Sequence, residues 1–241
     1  MLLPVFYARP EAVGTALGVS PALASWDKAG SPGQVRSAAF IAQVHAAVAE
    51  HLRGLSGPLA LRLDIGLPDT VPLLALNDLD NYLFPLVPKL SAATGRQFAS
   101  VWATKQHATA SSVAVSHAPT ANGPGEASDF SSQVRTTAST GTAAYKQQIH
   151  DQITVGRPLP DGGVAVQLAF VVGPRRVWPN LWKATIDSLG PILGREAGAR
   201  EWNVRDGRIT DLGLHCVVDP AAGNQVAIAI RANAVDRPKT R

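Results

Sequence analysis

The sequence predicts an α+β protein of two tandem halves of like design, each a small mixed sheet with helices, arranged as a pseudo-twofold dimer within one chain. Three observations predict it. Of the 241 residues, 46% are hydrophobic and 17% charged, which supplies a sizeable core and excludes disorder over the whole length. Apolar residues recur with helical period in some stretches and alternate in others. The order of those stretches in the first half returns in the second.

Residues 1–30 carry Pro4, Pro10, Gly14, Gly18 and Pro21 and align with nothing later. They read as an N-terminal segment packed on the first half, with an edge strand around Leu2–Tyr7. The first half covers 31–118. Phe40, Val44 and Val48 stand four apart on one helix face, and Leu59, Leu61 and Leu63 alternate as in a half-buried strand running to Leu67. A loop then leads to a short helix carrying Leu83, Val87 and Leu90, which Pro85 and Pro88 are expected to shorten or kink. Strands through Val101 and Val113-Ala114-Val115 close this half. Residues 119–136 read as a linker, since Pro119, Asn122, Gly123, Pro124 and Gly125 are turn-forming types.

The second half, 137–235, repeats the order. Phe40, Gln43, Val44, His45 and Val48 align with Tyr145, Gln148, Ile149, His150 and Ile153, and Leu59-Ala60-Leu61 with Val164-Ala165-Val166. Asn81, Leu83, Val87 and Leu90 fall on Asn180, Trp182, Ile186 and Leu189. Val101 falls on Leu214, and Val113-Ala114-Val115 on Val226-Ala227-Ile228. Residues 236–241 form a basic tail.

Composition narrows the function classes. No apolar run approaches the roughly 18–20 residues that span a bilayer, and Met1–Phe6 is too short and lacks the basic flank of a signal peptide. The expectation is a soluble, cytoplasmic protein with no membrane partner. The single cysteine, Cys216, forms no internal disulfide or thiolate cluster and reads as a small buried hydrophobe. No pair among the six histidines has zinc-motif spacing. There is no Gly-rich phosphate loop, and the Ser pairs lack the strand–turn–helix elbow of a hydrolase. A net charge of +4 permits a polyanionic partner. Cations crowd the last third at Arg175, Arg176, Lys183, Arg205 and Arg208. Trp178 and Trp182 are interleaved with them, as in proteins that stack bases while meeting phosphates. Solvated arginines with a core-facing Trp explain the pattern equally; Trp182, aligned with Leu83, reads as core and Trp178 as surface.

Asn77-Asp78-Leu79-Asp80-Asn81 is the most chemically pointed segment. Carboxylates at i and i+2 before a helix can converge on one hard cation such as Mg²⁺, which polarises a phosphodiester and activates water. The same residues also make ordinary helix N-caps.

A strand at Leu59–Leu67, a loop, Asp78-Leu79-Asp80-Asn81 and an apolar helix together resemble the RusA-type Holliday-junction resolvases. The helix with Tyr145-Lys146-Gln147 ahead of strand Val164–Val172 is similar to that family's leading helix. The family motif is Asp-x-Asp-Asn-x-x-Lys, followed by an Asp-Asp-containing turn into a strand, in a homodimer of chains about half this length. The resemblance covers roughly 31–118 and 137–233 and implies a fused, divergent member whose halves kept different pieces. The first half keeps Asp78, Asp80 and Asn81 but has Phe84 at the lysine position and no acidic turn. The second lacks both acids but keeps Asn180, Lys183 and Asp187, and its turn holds Arg205 and Asp206.

Two outcomes follow from the resemblance. In one, both centres have decayed, and the scaffold binds structured or branched DNA without cutting, alone or as a non-catalytic subunit of a nucleic-acid-processing or defence complex. Arg175, Arg176, Trp178, Lys183, Arg205 and Arg208 would then line the DNA. In the other, one composite centre survives as a Mg²⁺-dependent endonuclease: Asp78, Asp80 and Asp206 hold the metal, Lys183 stabilises charge on the phosphate, and Asn81, Asn180 and Asp187 support them. The family's acids ordinarily come together within one chain, so this second outcome requires a rearrangement. A single centre would nick one strand, as a monomeric pseudo-dimer or a dimer of it.

Overall fold

The computed structural model describes residues 1–11, 13–24, 27–28, 30–121 and 128–235; the basic tail at 236–241 lies outside them. The first long helix, α1 (Pro32–Gly54), starts where its sequence directs. The Ser31 hydroxyl accepts from the Gln34 amide at 3.3 Å, and Pro32 occupies the first turn, where no amide is needed. Its buried stripe is Phe40, Ile41, Val44, Val48 and Leu52.

Eight strands form one mixed sheet: β1 (Thr15–Leu17), β2 (Leu59–Leu67), β3 (Phe98–His107), β4 (Ser111–His117), β5 (Phe130–Thr136), β6 (Gly163–Val172), β7 (Ile209–Val218) and β8 (Val226–Val235). The order across the sheet is β1-β4-β2-β3-β7-β6-β8-β5. β2 and β3 are parallel, as are β6 and β7. The centre is an antiparallel β3–β7 ladder running from Ser100↔His215 to Thr104↔Asp211. Connectivity is the same read inward from either edge, and the aligned residues Val101 and Leu214 are ladder partners. Both parallel ladders also shift register at the aligned step, between Leu59 and Ala60 and between Val164 and Ala165.

One sheet face carries α1, α2 (Leu79–Thr94), α3 (Ala143–His150), α4 (Trp182–Asp187) and α5 (Gly190–Leu193). Alternate residues of β2, β6 and β8 join the helices in one continuous core that includes Leu61, Leu83, Leu168, Trp182 and Ile228. On the other face, Phe6 and Tyr7 pack against the His215 ring, the Arg231 guanidinium lies 3.9 Å from the Phe6 ring centre, and Arg9 bridges Asp64 and Asp211 at 3.1 and 2.9 Å. Among the described residues no helix is long and apolar enough to cross a membrane.

Three expectations are corrected. The N-terminal edge strand is Thr15–Leu17, while Tyr7 makes only a bridge to Thr120, because the prolines at 4 and 10 flank a stretch that packs across the open sheet face. Residues 130–136, placed in a linker, form β5, whose inward Val134 and Thr136 alternate with exposed Ser131, Gln133 and Arg135. Helix α2 runs through both Pro85 and Pro88. Burial of Leu79, Leu83, Leu86, Val87 and Leu90 on one face outweighs the two missing amides.

The central ladder depends on a side-chain void. A Cβ on Gly213 would meet the Trp102 ring at 2.9 Å. Gly213→Val should therefore cost about 1–3 kcal/mol through overpacking, read by urea unfolding, whereas Gly156→Ala, facing open space, should be near neutral.

Candidate metal centre

The segment Asn77–Asn81 sits where the loop after β2 turns into α2. Asn77 takes a left-handed conformation (φ 63°), which Asn tolerates better than most residues, and the Tyr82 hydroxyl donates to its Oδ1 at 3.0 Å. Asp78 occupies the N-cap position, yet its side chain makes no capping hydrogen bond. The Asn81 side-chain carboxamide instead donates through Nδ2 to Asp78 Oδ2 at 3.1 Å. The ordinary capping explanation for this acid is thereby removed.

Asp206 comes from the other half. It opens a single 3-10 turn, Asp206–Arg208, that leads into β7. Because β7 runs antiparallel to β3, this turn lies beside the end of β3 and the loop before α2. Asp78, Asp80 and Asp206 each present a carboxylate oxygen within 4.8 Å of the other two. Gly207 permits the approach, since a Cβ there would meet the Ala75 carbonyl carbon at 2.8 Å.

Asp80 is 3% exposed, and its Oδ2 is buried with no hydrogen-bond partner. Burial pushes its pKa up to about 7, with Lys183 pulling the other way and Asp206 and Asp78 adding to the rise. Asp78 is raised as well, by burial first and then by Asp206. Lys183 bridges Asp206 and stands 3.3 Å from Asp187. Burial alone would lower its pKa, but Asp80, Asp206 and Asp187 outweigh that and hold the ammonium above the ordinary lysine range. Lys146 on α3 joins the same network at 2.6 Å from Asp187. Three carboxylates with an unsatisfied buried oxygen form the all-oxygen donor set suited to a hard divalent cation.

Lys105 was not singled out in the sequence. It is 3% exposed at the end of β3, and its ammonium donates to the Leu76, Asn77 and Gly207 carbonyls at 2.9, 3.1 and 2.6 Å. Burial lowers its pKa to about 8. A signal was present: Lys105 follows Val101 and Ala103 at period two, so a lysine falls on the core face of a strand.

The predicted nucleic-acid residues divide. Arg175 is exposed and Lys183 half-buried at the centre. Trp178, read as surface, is buried edge-on against Trp182 and Phe170, because the 3-10 turn at Trp178–Leu181 folds it under the helices. Arg208 is 1% exposed and donates to the carbonyls of Leu159, Pro160, Gly162 and Leu193, so its guanidinium is spent tying loops together. Arg205 pairs with Asp161 and Glu196, and Arg176 donates to the Thr137, Ala138 and Asn224 carbonyls. Cys216 is buried and its thiol is pushed up to about 12, as expected of a packing residue.

Comparisons with protein-family models, with curated proteins and with solved structures return no significant match.

Two predictions follow from this geometry. Asp80 keeps a proton in the folded state that the unfolded chain releases near pH 4, so its contribution to stability declines as pH rises from about 4 to about 7. Asp80→Asn should thus raise Tm at about pH 8, by about 2–4 °C for each kcal/mol relieved, and the difference should vanish towards about pH 4; calorimetry across that range checks it. Lys105→Met strands three carbonyls and should cost about 1–3 kcal/mol in urea unfolding.

Proposed function

We propose that the protein is a Mg²⁺-dependent endonuclease for branched or flapped DNA, built as a single-chain pseudo-dimer of RusA-like halves with one composite centre. The carrying observation is the convergence of Asp78 and Asp80 from one half with Asp206 from the other, around a buried carboxylate oxygen that has no partner. The mirrored strand order and the register shifts at aligned positions support the duplication. Of the two outcomes that the resemblance leaves open, random decay gives no reason for the retained pieces to meet, so the convergence favours the composite centre over a scaffold that only binds DNA.

Asp78, Asp80 and Asp206 would hold Mg²⁺, which when bound polarises a phosphodiester and lowers the pKa of an attacking water. The chain's own residues supply the rest. Lys105 fixes the loop at Leu76–Asn77 to the turn at Gly207 and so sets the spacing of the acids. Asn81 orients the Asp78 carboxylate. Lys183 remains protonated and, held between Asp206 and Asp187, presents a cation to the charge that develops on the phosphate or leaving oxygen. Asp187, bonded to both Lys183 and Lys146, positions them.

The test is incubation with end-labelled four-way junction, flap and linear duplex, with and without Mg²⁺. One metal-dependent nick is expected per branched molecule, falling by at least about 100-fold in Asp78→Asn, Asp206→Asn and Lys183→Ala. Binding should weaken as salt is raised. Salt-sensitive binding without a nick would mean that the scaffold grips DNA only.

A further inference from the structure

A cavity of about 510 Å³ opens beside the acidic centre, between the start of α2, the start of α3 and α4. Its volume is within the range of about 300–1,000 Å³ typical of small-molecule sites. Asp80 and Lys183 line both the cavity and the acidic centre, so an occupant would abut a phosphodiester held there.

The lining is that of a nucleotide subsite. Half-buried Phe84 gives an apolar wall for a flat ring, and the buried Trp182 and Ala184 complete the apolar lining. Asn81 and Asn180, which occupy aligned positions in the sequence, bring two carboxamides to the same space; Asn81 Nδ2 is engaged by Asp78, and the Asn180 carboxamide can pair with the donor–acceptor edge of a base. Lys146 and Lys183 border it as ammonium groups. Both are already paired with Asp187, at 2.6 and 3.3 Å, so the cavity is not a bare phosphate cradle. Two buried polar atoms on its lining residues lack partners: Asp80 Oδ2 and Trp182 Nε1.

We propose that this cavity receives one unpaired nucleotide next to the phosphodiester at the acidic centre, and so selects DNA with a flap or branch over continuous duplex. The proposal rests on the endonuclease reading for its substrate. A base stacked and paired in a duplex cannot enter a recess between three helices, whereas an unpaired one can swing in at small cost.

The experiment titrates the full chain, without metal, with the four deoxynucleoside 5′-monophosphates and with deoxyribose 5-phosphate as the base-free control, by calorimetry. Saturable binding of a mononucleotide is expected, with the control at least about tenfold weaker. Asn180→Leu and Lys146→Met should each reduce mononucleotide affinity by about tenfold, the scale of one lost charge-assisted or buried hydrogen bond. Asn180 is exposed, so its variant carries little folding risk. Absence of saturable binding, equal binding of the control, or affinity unchanged in both variants would overturn the proposal. Mononucleotide binding in a protein that cuts no labelled flap with Mg²⁺ would overturn the endonuclease reading while upholding the subsite. Cleavage without mononucleotide binding would do the reverse.

Discussion

The arrangement depends on the antiparallel pairing of β3 with β7. Five residue pairs, Ser100–Thr104 against Asp211–His215, join what would otherwise be two four-stranded sheets. Antiparallel pairing brings the end of one strand beside the start of the other. The turn that opens β7 therefore meets the loop that opens α2, and residues more than 120 positions apart share one carboxylate cluster. Trp102 lying over Gly213 keeps the two strands closely packed where a side chain would force them apart.

Charge balance at the cluster explains its shape. Three carboxylates within 4.8 Å repel one another, and burial of Asp80 adds a desolvation cost. The chain offsets this with two ammonium groups of different function. Lys183 pairs with the acids, whereas Lys105 bonds only to carbonyl oxygens and holds the backbone beneath them. The residual misfit is a raised Asp80 whose buried Oδ2 has no hydrogen-bond partner.

Much of this architecture was legible in the residues, because buried apolar periodicity is a local property. Phe40, Val44 and Val48 marked α1, and Leu59 to Leu67 marked β2. The mirrored strand order follows the order of apolar stretches in the sequence. Asp78, Asp80, Lys183 and Asp206 were legible as chemistry, though only the fold shows that they meet. What escaped had tertiary causes. Trp178 and Arg208 look like surface residues in sequence, but a 3-10 turn folds one inward and four carbonyls recruit the other. β5 hides in polar sequence because it is an edge strand with one face in solvent. Pro85 and Pro88 read as helix breakers because propensity is local, while the packing that overrides it is not.

The β3–β7 seam, the Lys105 tie and the packing of α2 on β7 and α4 together unite the acids. A chain severed between its halves could regain the cluster only by re-forming the β3–β7 ladder in register. A slip of one residue would turn Ala103 and Leu212, which now share a face, to opposite faces and carry Asp206 away from Asp78. The carboxylate trio would then report on assembly: two fragments associated in any other register would lack the cluster of Asp78, Asp80 and Asp206.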